Sequence, residues 1–259
     1  MPLREVWLVF QREMTHRYRQ PVWLVMGLGQ PVLYMVFFGP LIDKYAAYTP
    51  GFPPGGTWMV FAPALMVQMV IIGSSFVGLS LLAEYRHGVF ERFSVTPIRL
   101  TALLFGKVLA VAVNVLVQAG VIALLCILFF GARPPADGVA LCLLIVACLS
   151  AAIASASYAL ALRIKDEEKA QVVLNTVLMP FFLLSGTLLP ITTELAPDWL
   201  WKLSRVNPVA HVMDADRASF RGDFSVHSLL PGTVALALMT LLSFYWAART
   251  FSRQNAGVR

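Results

Sequence analysis

A chain of 259 residues in which 58% are hydrophobic and 13% charged cannot cover a water-soluble body of that size, because ordinary globular sequences carry about a quarter charged residues. The apolar surplus comes in long uninterrupted runs, so the solvent is a bilayer; soluble enzymes, nucleic-acid binders and disulfide-stapled secreted scaffolds are excluded. The net charge of +6 then marks a cytoplasmic membrane face rather than affinity for nucleic acid.

In chain order, residues 3–19 read first, as an amphipathic helix. Leu3, Trp7, Phe10, Met14 and Tyr18 recur at spacings of four and three, while Arg4, Arg12, Glu13 and Arg19 fall elsewhere. Such a helix lies in the headgroup layer, with Trp7, Phe10, Arg12 and Tyr18 as its interfacial residues; docking to a cytoplasmic partner is the alternative. Six segments then lack any Asp, Glu, Lys, Arg or His: 21–42, 58–82, 108–130, 139–162, 170–191 and 229–248. Each has 20 to 25 residues, and crossing a hydrocarbon core takes about 20 in helix. The short alternating strands of a barrel are missing. The expected fold is therefore an all-α integral membrane protein with six transmembrane helices in a single domain, 1–259. The first span follows a charged segment of 20 residues, is too long for a signal-peptide core and has no cleavage pattern after it, so it counts as a true span. With the N-terminus inside, the inner segments 1–20, 83–107, 163–169 and 249–259 hold 14 Lys and Arg against 6 in the outer loops. Positive charge stays inside, so both termini face the cytoplasm.

The spans contain no charge, which argues against proton- or voltage-driven transport, since coupling charge needs a binding group. All four histidines (His16, His87, His211 and His227) fall outside the spans, so neither a zinc site nor a Ser–His pair can be built at membrane depth. The neutral polar residues Gln30, Gln68, Ser74, Ser75, Asn114, Gln118, Asn175 and Thr176 can line a translocation path. They can equally hydrogen-bond between helices, at about 1 kcal/mol or less apiece. Asn114 and Gln118 share a face. Ser150, Ala154, Ser157 and Ala161 form a stripe for close packing. Pro31, Pro63 and Pro180 tend to kink their helices. Cys126, Cys142 and Cys148 all lie in spans, so no disulfide framework is implied.

Residues 83–97 form the most specific loop. As a helix they put Tyr85, Val89 and Phe93 on one face and Glu84, His87 and Glu91 on another, until Pro97 stops the pattern. Such a short amphipathic helix floats at the interface or is gripped by a cytoplasmic protein. The run EYRHGVFERFSVTPIRLTALLFGKVLA, from Glu84 to Ala110, resembles the coupling segment of the ABC type-2 exporter permeases, those similar to daunorubicin-resistance permeases. Gly88, Glu91, Arg92, Thr96, Pro97, Gly106 and Lys107 carry the match. Residues 4–41 resemble the family's interfacial helix and first span. Residues 183–223, including Asn207–Pro208 and Arg217, resemble its fifth span and extracellular region. By that resemblance 192–228 folds into short, partly re-entrant helices at the outer leaflet. Leu195, Trp199, Leu203 and Val206 would share a face there, with Trp199 and Trp201 as interfacial anchors.

The chain has no Gly-x-x-x-x-Gly-Lys-Ser/Thr phosphate loop, so it cannot hydrolyse ATP alone; it is expected to be a transport subunit and not an enzyme by itself, with no cofactor or metal of its own. The resemblance implies ATP and Mg on a separate ATP-binding subunit in two copies, gripping Glu84, Tyr85, Arg86, His87, Gly88, Val89, Phe90, Glu91 and Arg92 with help from 163–169. It also implies a second permease chain, most simply a homodimer, and export of a hydrophobic, drug- or antibiotic-like compound. Export of polysaccharide or lipid-linked glycan is the alternative, with Trp23, Tyr34, Phe37, Phe38, Phe181 and Phe182 as path aromatics. Outside the family, a membrane enzyme acting on lipid head groups would need paired acids, for which Asp214 and Asp216 are the nearest approach, as surface residues of a solvated helix. Arg outnumbers Lys 15 to 5, in keeping with a GC-rich bacterial genome, and the expected location is the bacterial plasma membrane.

Overall fold

The chain folds as a bundle whose regular elements, among the described residues, are all α-helices. The computed structural model describes residues 3–19, 22–48, 56–86, 100–193 and 195–256. In order the helices are α1 (Leu3–Tyr18), α2 (Val22–Tyr48), α3 (Thr57–Ser75), α4 (Val77–Arg86), α5 (Leu100–Phe129), α6 (Ala136–Ile164), α7 (Glu167–Leu183), α8 (Asp198–Val206), α9 (Pro208–Arg221) and α10 (Val226–Ala256). Four stretches among the described residues are long and apolar enough to cross a membrane: Thr57–Ala83, Thr101–Phe129, Ala136–Ile164 and Val226–Ser252. They match the second, third, fourth and sixth expected spans. Within the first of them, a turn at Phe76 separates α3 from α4. The expected first span lies in α2, which has 27 residues. The expected fifth stops at Leu183, not near residue 191. There the chain turns through Ser185 and Gly186, with Gly186 at φ +73°, a conformation that a side chain disfavours.

Helix α6 is the hub, packed against α3, α4, α5, α7, α9 and α10. Its small residues allow this: Ser150, Ala154, Ser157 and Ala161 are all buried, as a close-packing stripe requires. Helix α3 is enclosed almost completely, with all but three of its residues buried between α2, α5, α6, α7 and α9. The turn from α6 to α7 is tight. Lys165 takes the left-handed conformation that ends α6, and the Asp166 carboxylate accepts the Lys169 N–H at 3.1 Å. With Glu167 and Glu168 it also places negative charge at the start of α7, where the helix dipole favours it.

Helix α1 lies along α5. Val9 is buried, while Leu3, Trp7 and Tyr18 are exposed; Arg12 is exposed and Phe10 half-buried beside Trp7. The apolar row read from the sequence thus faces outward, and a second edge holds the helix to the bundle. Two neighbouring residues of α5 make that edge. Gly106 admits α1, since a Cβ there would lie 2.7 Å from Val9 Cβ and 2.9 Å from Val6 O. Lys107, only 2% exposed, reaches Glu13 Oε1 at 3.0 Å. Replacing Gly106 by Leu overpacks this contact, at a cost of about 1–3 kcal/mol. Hydrogen exchange should then rise through residues 3–18 with little change in α6; unaltered protection of α1 would refute this account of the contact.

Candidate translocation path and coupling surface

The expected coupling residues fall at the edge of the described structure. Glu84, Tyr85 and Arg86 form the last turn of α4, and His87, Gly88, Val89, Phe90, Glu91 and Arg92 lie outside the described residues. What α4 packs against is defined. Leu82 of α4, Ala161 of α6 and Ala170 of α7 form a small buried cluster, with Leu79 and Ile164 against it. The end of α4 and the 163–169 turn are therefore brought to one end of the bundle.

The second span is interrupted, and one side chain from α6 fills the interruption. Phe76 leaves the helical path at φ −91°, ψ −1°. The Ser157 hydroxyl donates to the Ser75 carbonyl and accepts the Gly78 N–H at 2.9 Å. Two backbone groups that the break exposes are thus satisfied by one hydroxyl. Gly78 makes this approach possible, because a Cβ there would lie 2.6 Å from Ser157 Oγ. Ser75 returns its own hydroxyl to the Ile71 carbonyl, whereas the buried Ser74 hydroxyl has no partner among the described residues. Sequence reading placed Ser157 in a packing stripe and missed this bridging role; the signal available was a Ser in α6 and a Gly pair, Gly73 and Gly78, in the facing span.

The eight polar residues expected to line a path do not form one surface. Gln68 on α3 and Gln118 on α5 are buried. Gln118 occupies the space that a side chain on Gly27 of α2 would need, and Asn114 is half-buried one turn before it. Gln30 on α2 and Asn175 and Thr176 on α7 are exposed. Thr176 satisfies its hydroxyl on the Val172 carbonyl at 2.8 Å. Only Ala170 and Leu174 of α7 are buried, so this helix presents most of its circumference outward.

At the other end, α8 exposes Trp199, Leu203 and Val206 on one face, while α9 is nested against α3, α6 and α10. Asn207 joins them: its side-chain oxygen accepts the Val209 N–H at 3.0 Å, and its Nδ2 donates to the Phe181 carbonyl at 2.7 Å. Arg217 holds α9 in place by donating from Nη2 to the Gly186 carbonyl at 2.7 Å and from Nε to the Val60 carbonyl at 3.3 Å. The acid pair read as surface residues divides. Asp214 is partly exposed and takes Arg205 Nη1 at 2.7 Å, but Asp216 is fully buried. Its carboxylate lies beside the Cys142 thiol, and neither oxygen meets an N–H or O–H donor among the described residues. Residues two apart on a helix point to different sides, and α9 is packed on the Asp216 side. The two carboxylates therefore do not converge as a catalytic pair.

The family model for ABC-2 type transporters matches residues 4–220, from α1 to the last turn of α9. The chain belongs to the ABC-2 type transporter family. It is a transmembrane subunit of an ABC transporter and crosses the membrane several times. The transport permease ycf38 of Cyanophora paradoxa is 24% identical over 216 residues, covering 83% of this chain and 73% of that protein. The ycf38 permease of Porphyra purpurea is 24% identical over 218 residues, covering 83% and 73%. The daunorubicin resistance ABC transporter permease protein DrrB1 of Streptomyces coeruleorubidus is 24% identical over 208 residues, covering 78% and 70%. An ABC-2 permease implies an ATP-binding partner subunit.

Two properties of this permease can be checked directly. Ser157→Ala leaves the Ser75 carbonyl and Gly78 N–H without partners, at about 1–3 kcal/mol for each buried group left unmade. The thermal midpoint in detergent should fall clearly, whereas Ser155→Ala, whose hydroxyl serves only the Ala151 carbonyl, should have a smaller effect. Equal shifts would argue against the bridge. Burial pushes the Asp216 carboxyl from 3.8 up to about 8, against smaller opposing contributions from Cys142 and Arg217. Between those values the folded chain holds a proton that the unfolded chain has released, so stability falls as pH rises from 4 to 8. Asp216→Asn should flatten that slope in pH-dependent denaturation, and an unchanged slope would contradict the burial.

Proposed function

We propose that this chain is the permease half of an ATP-driven exporter for hydrophobic or amphiphilic compounds. Two copies would form a homodimer above two ATP-binding subunits, which bind ATP and Mg. In this reading the domain is the whole chain with six spans. Helix α1 lies in the inner headgroup layer, 83–97 is the coupling helix, 192–228 is partly re-entrant at the outer leaflet, and both termini face the cytoplasm of a bacterial cell. The observation that carries it is the outward exposure of polar residues on two membrane helices, Gln30 on α2 and Asn175 on α7. Facing lipid, these amides would lose hydrogen bonds that nothing replaces; a second copy, or a path between two copies, satisfies them. The daunorubicin resistance relative supports a drug-like substrate.

The break at Phe76 supports a mechanical account. Closure of the ATP-binding pair moves residues 84–92, and α4 passes the movement to α6 and α7, against which it packs. Because α3 and α4 are separate helices, α4 can tilt without carrying all of α3 with it. The first, second and fifth spans then shift, the exposed α2 and α7 surfaces of the two copies part, and the substrate leaves from the inner leaflet or cytoplasm toward the outer side.

The test is a reconstituted complex of the permease with its co-purifying ATP-binding subunit. Replacing both Glu91 and Arg92 by Ala should lower ATP-dependent substrate efflux at least about tenfold, the equivalent of 1.4 kcal/mol or more, while ATP hydrolysis persists and the permease keeps its thermal midpoint. A fully coupled rate in the double variant would overturn the coupling assignment. Purification without any ATPase under conditions that preserve complexes would overturn the exporter reading.

A further inference from the structure

A cavity of about 550 Å³ lies where the C-terminal part of α2, the start of α3 and the α5–α6 connection meet. That is within the size range of small-ligand sites, and its lining is chemically two-sided. Asp43 and Arg133 both line it, yet among the described residues neither forms an ion pair. The two charges are therefore held apart across one space. Trp58 fixes the acid, its Nε1 donating to Asp43 Oδ2 at 3.3 Å, which leaves the second carboxylate oxygen open. Trp58 is itself held against Phe130, ring centroids 4.0 Å apart. On the side of Thr57, α3 begins at Gly56 with no side-chain cap, so its first backbone N–H groups and the positive end of its dipole add to the attraction for an anion.

A carboxylate and a guanidinium facing one cavity suit a molecule with both charges. The ammonium goes to Asp43, and the anionic group goes to Arg133 and the α3 start, where a phosphate can take two parallel hydrogen bonds. The surroundings identify the source of such a molecule. Trp58 and Phe130 lie at the ends of membrane helices, the depth at which aromatic residues meet headgroups. Just below, Leu41 of α2 and Leu128 and Phe129 of α5 are exposed, giving acyl chains an apolar wall to follow. We infer that this cavity is a binding site for the headgroup of a zwitterionic phospholipid carrying a primary ammonium, taken from the leaflet at this end of the bundle. The inference requires only that the helices span a bilayer and is independent of the export reading.

The experiment is native mass spectrometry of the full-length chain, delipidated in detergent and titrated with phosphatidylethanolamine, phosphatidylglycerol, or free phosphoethanolamine. The expected result is one phosphatidylethanolamine retained per chain, at least about tenfold more tightly than phosphatidylglycerol. Asp43→Asn should remove that preference, and Arg133→Gln, which loses the contact to the phosphate that both lipids carry, should weaken retention of both by about tenfold or more. Arg133 is exposed and among the described residues in no ion pair, so Arg133→Gln should fold normally, and it decides the matter if Asp43→Asn does not. Equal retention of the two lipids by the unaltered chain, or undiminished retention of phosphatidylethanolamine by Arg133→Gln, would overturn the site. Free phosphoethanolamine binding as tightly as the lipid would overturn the lipid assignment and make this a site for a soluble zwitterion.

Discussion

Inside a bilayer no water stands ready to satisfy a backbone group, so any departure from unbroken helix must bring its own hydrogen-bond partners. That constraint explains the arrangement around α6. Breaking the second span at Phe76 is possible only because Ser157 supplies both a donor and an acceptor at the gap. Its position in turn requires a helix lined with small residues and a partner, Gly78, without a side chain. The most extensively packed helix is thus also the one that permits a discontinuity in its neighbour.

The same constraint governs α9, where a charged group does the work. An Arg buried in this position would be costly unless its donors found acceptors, and the Arg217 guanidinium finds two carbonyls left available by irregular backbone and by α3. Asn207 does the equivalent for α7 by reaching the Phe181 carbonyl. The short helices at this end are therefore fastened by polar side chains to main-chain oxygens, and side-chain ion pairs contribute little beyond Arg205 with Asp214. Such attachments tie α9 to α3 and to the turn after α7, so a displacement of either is felt by α9.

Much of the architecture was legible because lipid imposes a simple rule on composition: absence of charge over about 20 residues marked four helices that the structure shows to be of crossing length. The family was legible in the stretch around Glu91, Pro97 and Lys107. Less legible were features that depend on what folds against what. Hydropathy continues past Leu183, and only the geometry at Gly186 shows why α7 ends. Asp216 reads as a surface acid from its neighbours in sequence, and its burial depends on α9 turning back against Cys142 on α6. The break at Phe76 has no proline to announce it; the residue that permits it lies some eighty positions away. The polar span residues were found correctly as polar, but their division between packed and exposed faces required knowing which helices surround α3.

The link between Lys107 and Glu13 spans 94 positions, and this has a consequence for how the chain is made. A ribosome adding about 5–20 residues per second needs roughly 5–20 s to supply the partner that Glu13 is waiting for. During that interval α1 has no α5 to rest on, and Val9, buried in the finished bundle, is left uncovered along with Leu3, Trp7 and Tyr18. Helix α1 therefore takes its final seat only after α5 has been made, and an element close to the N-terminal side of the chain is locked by one made much later.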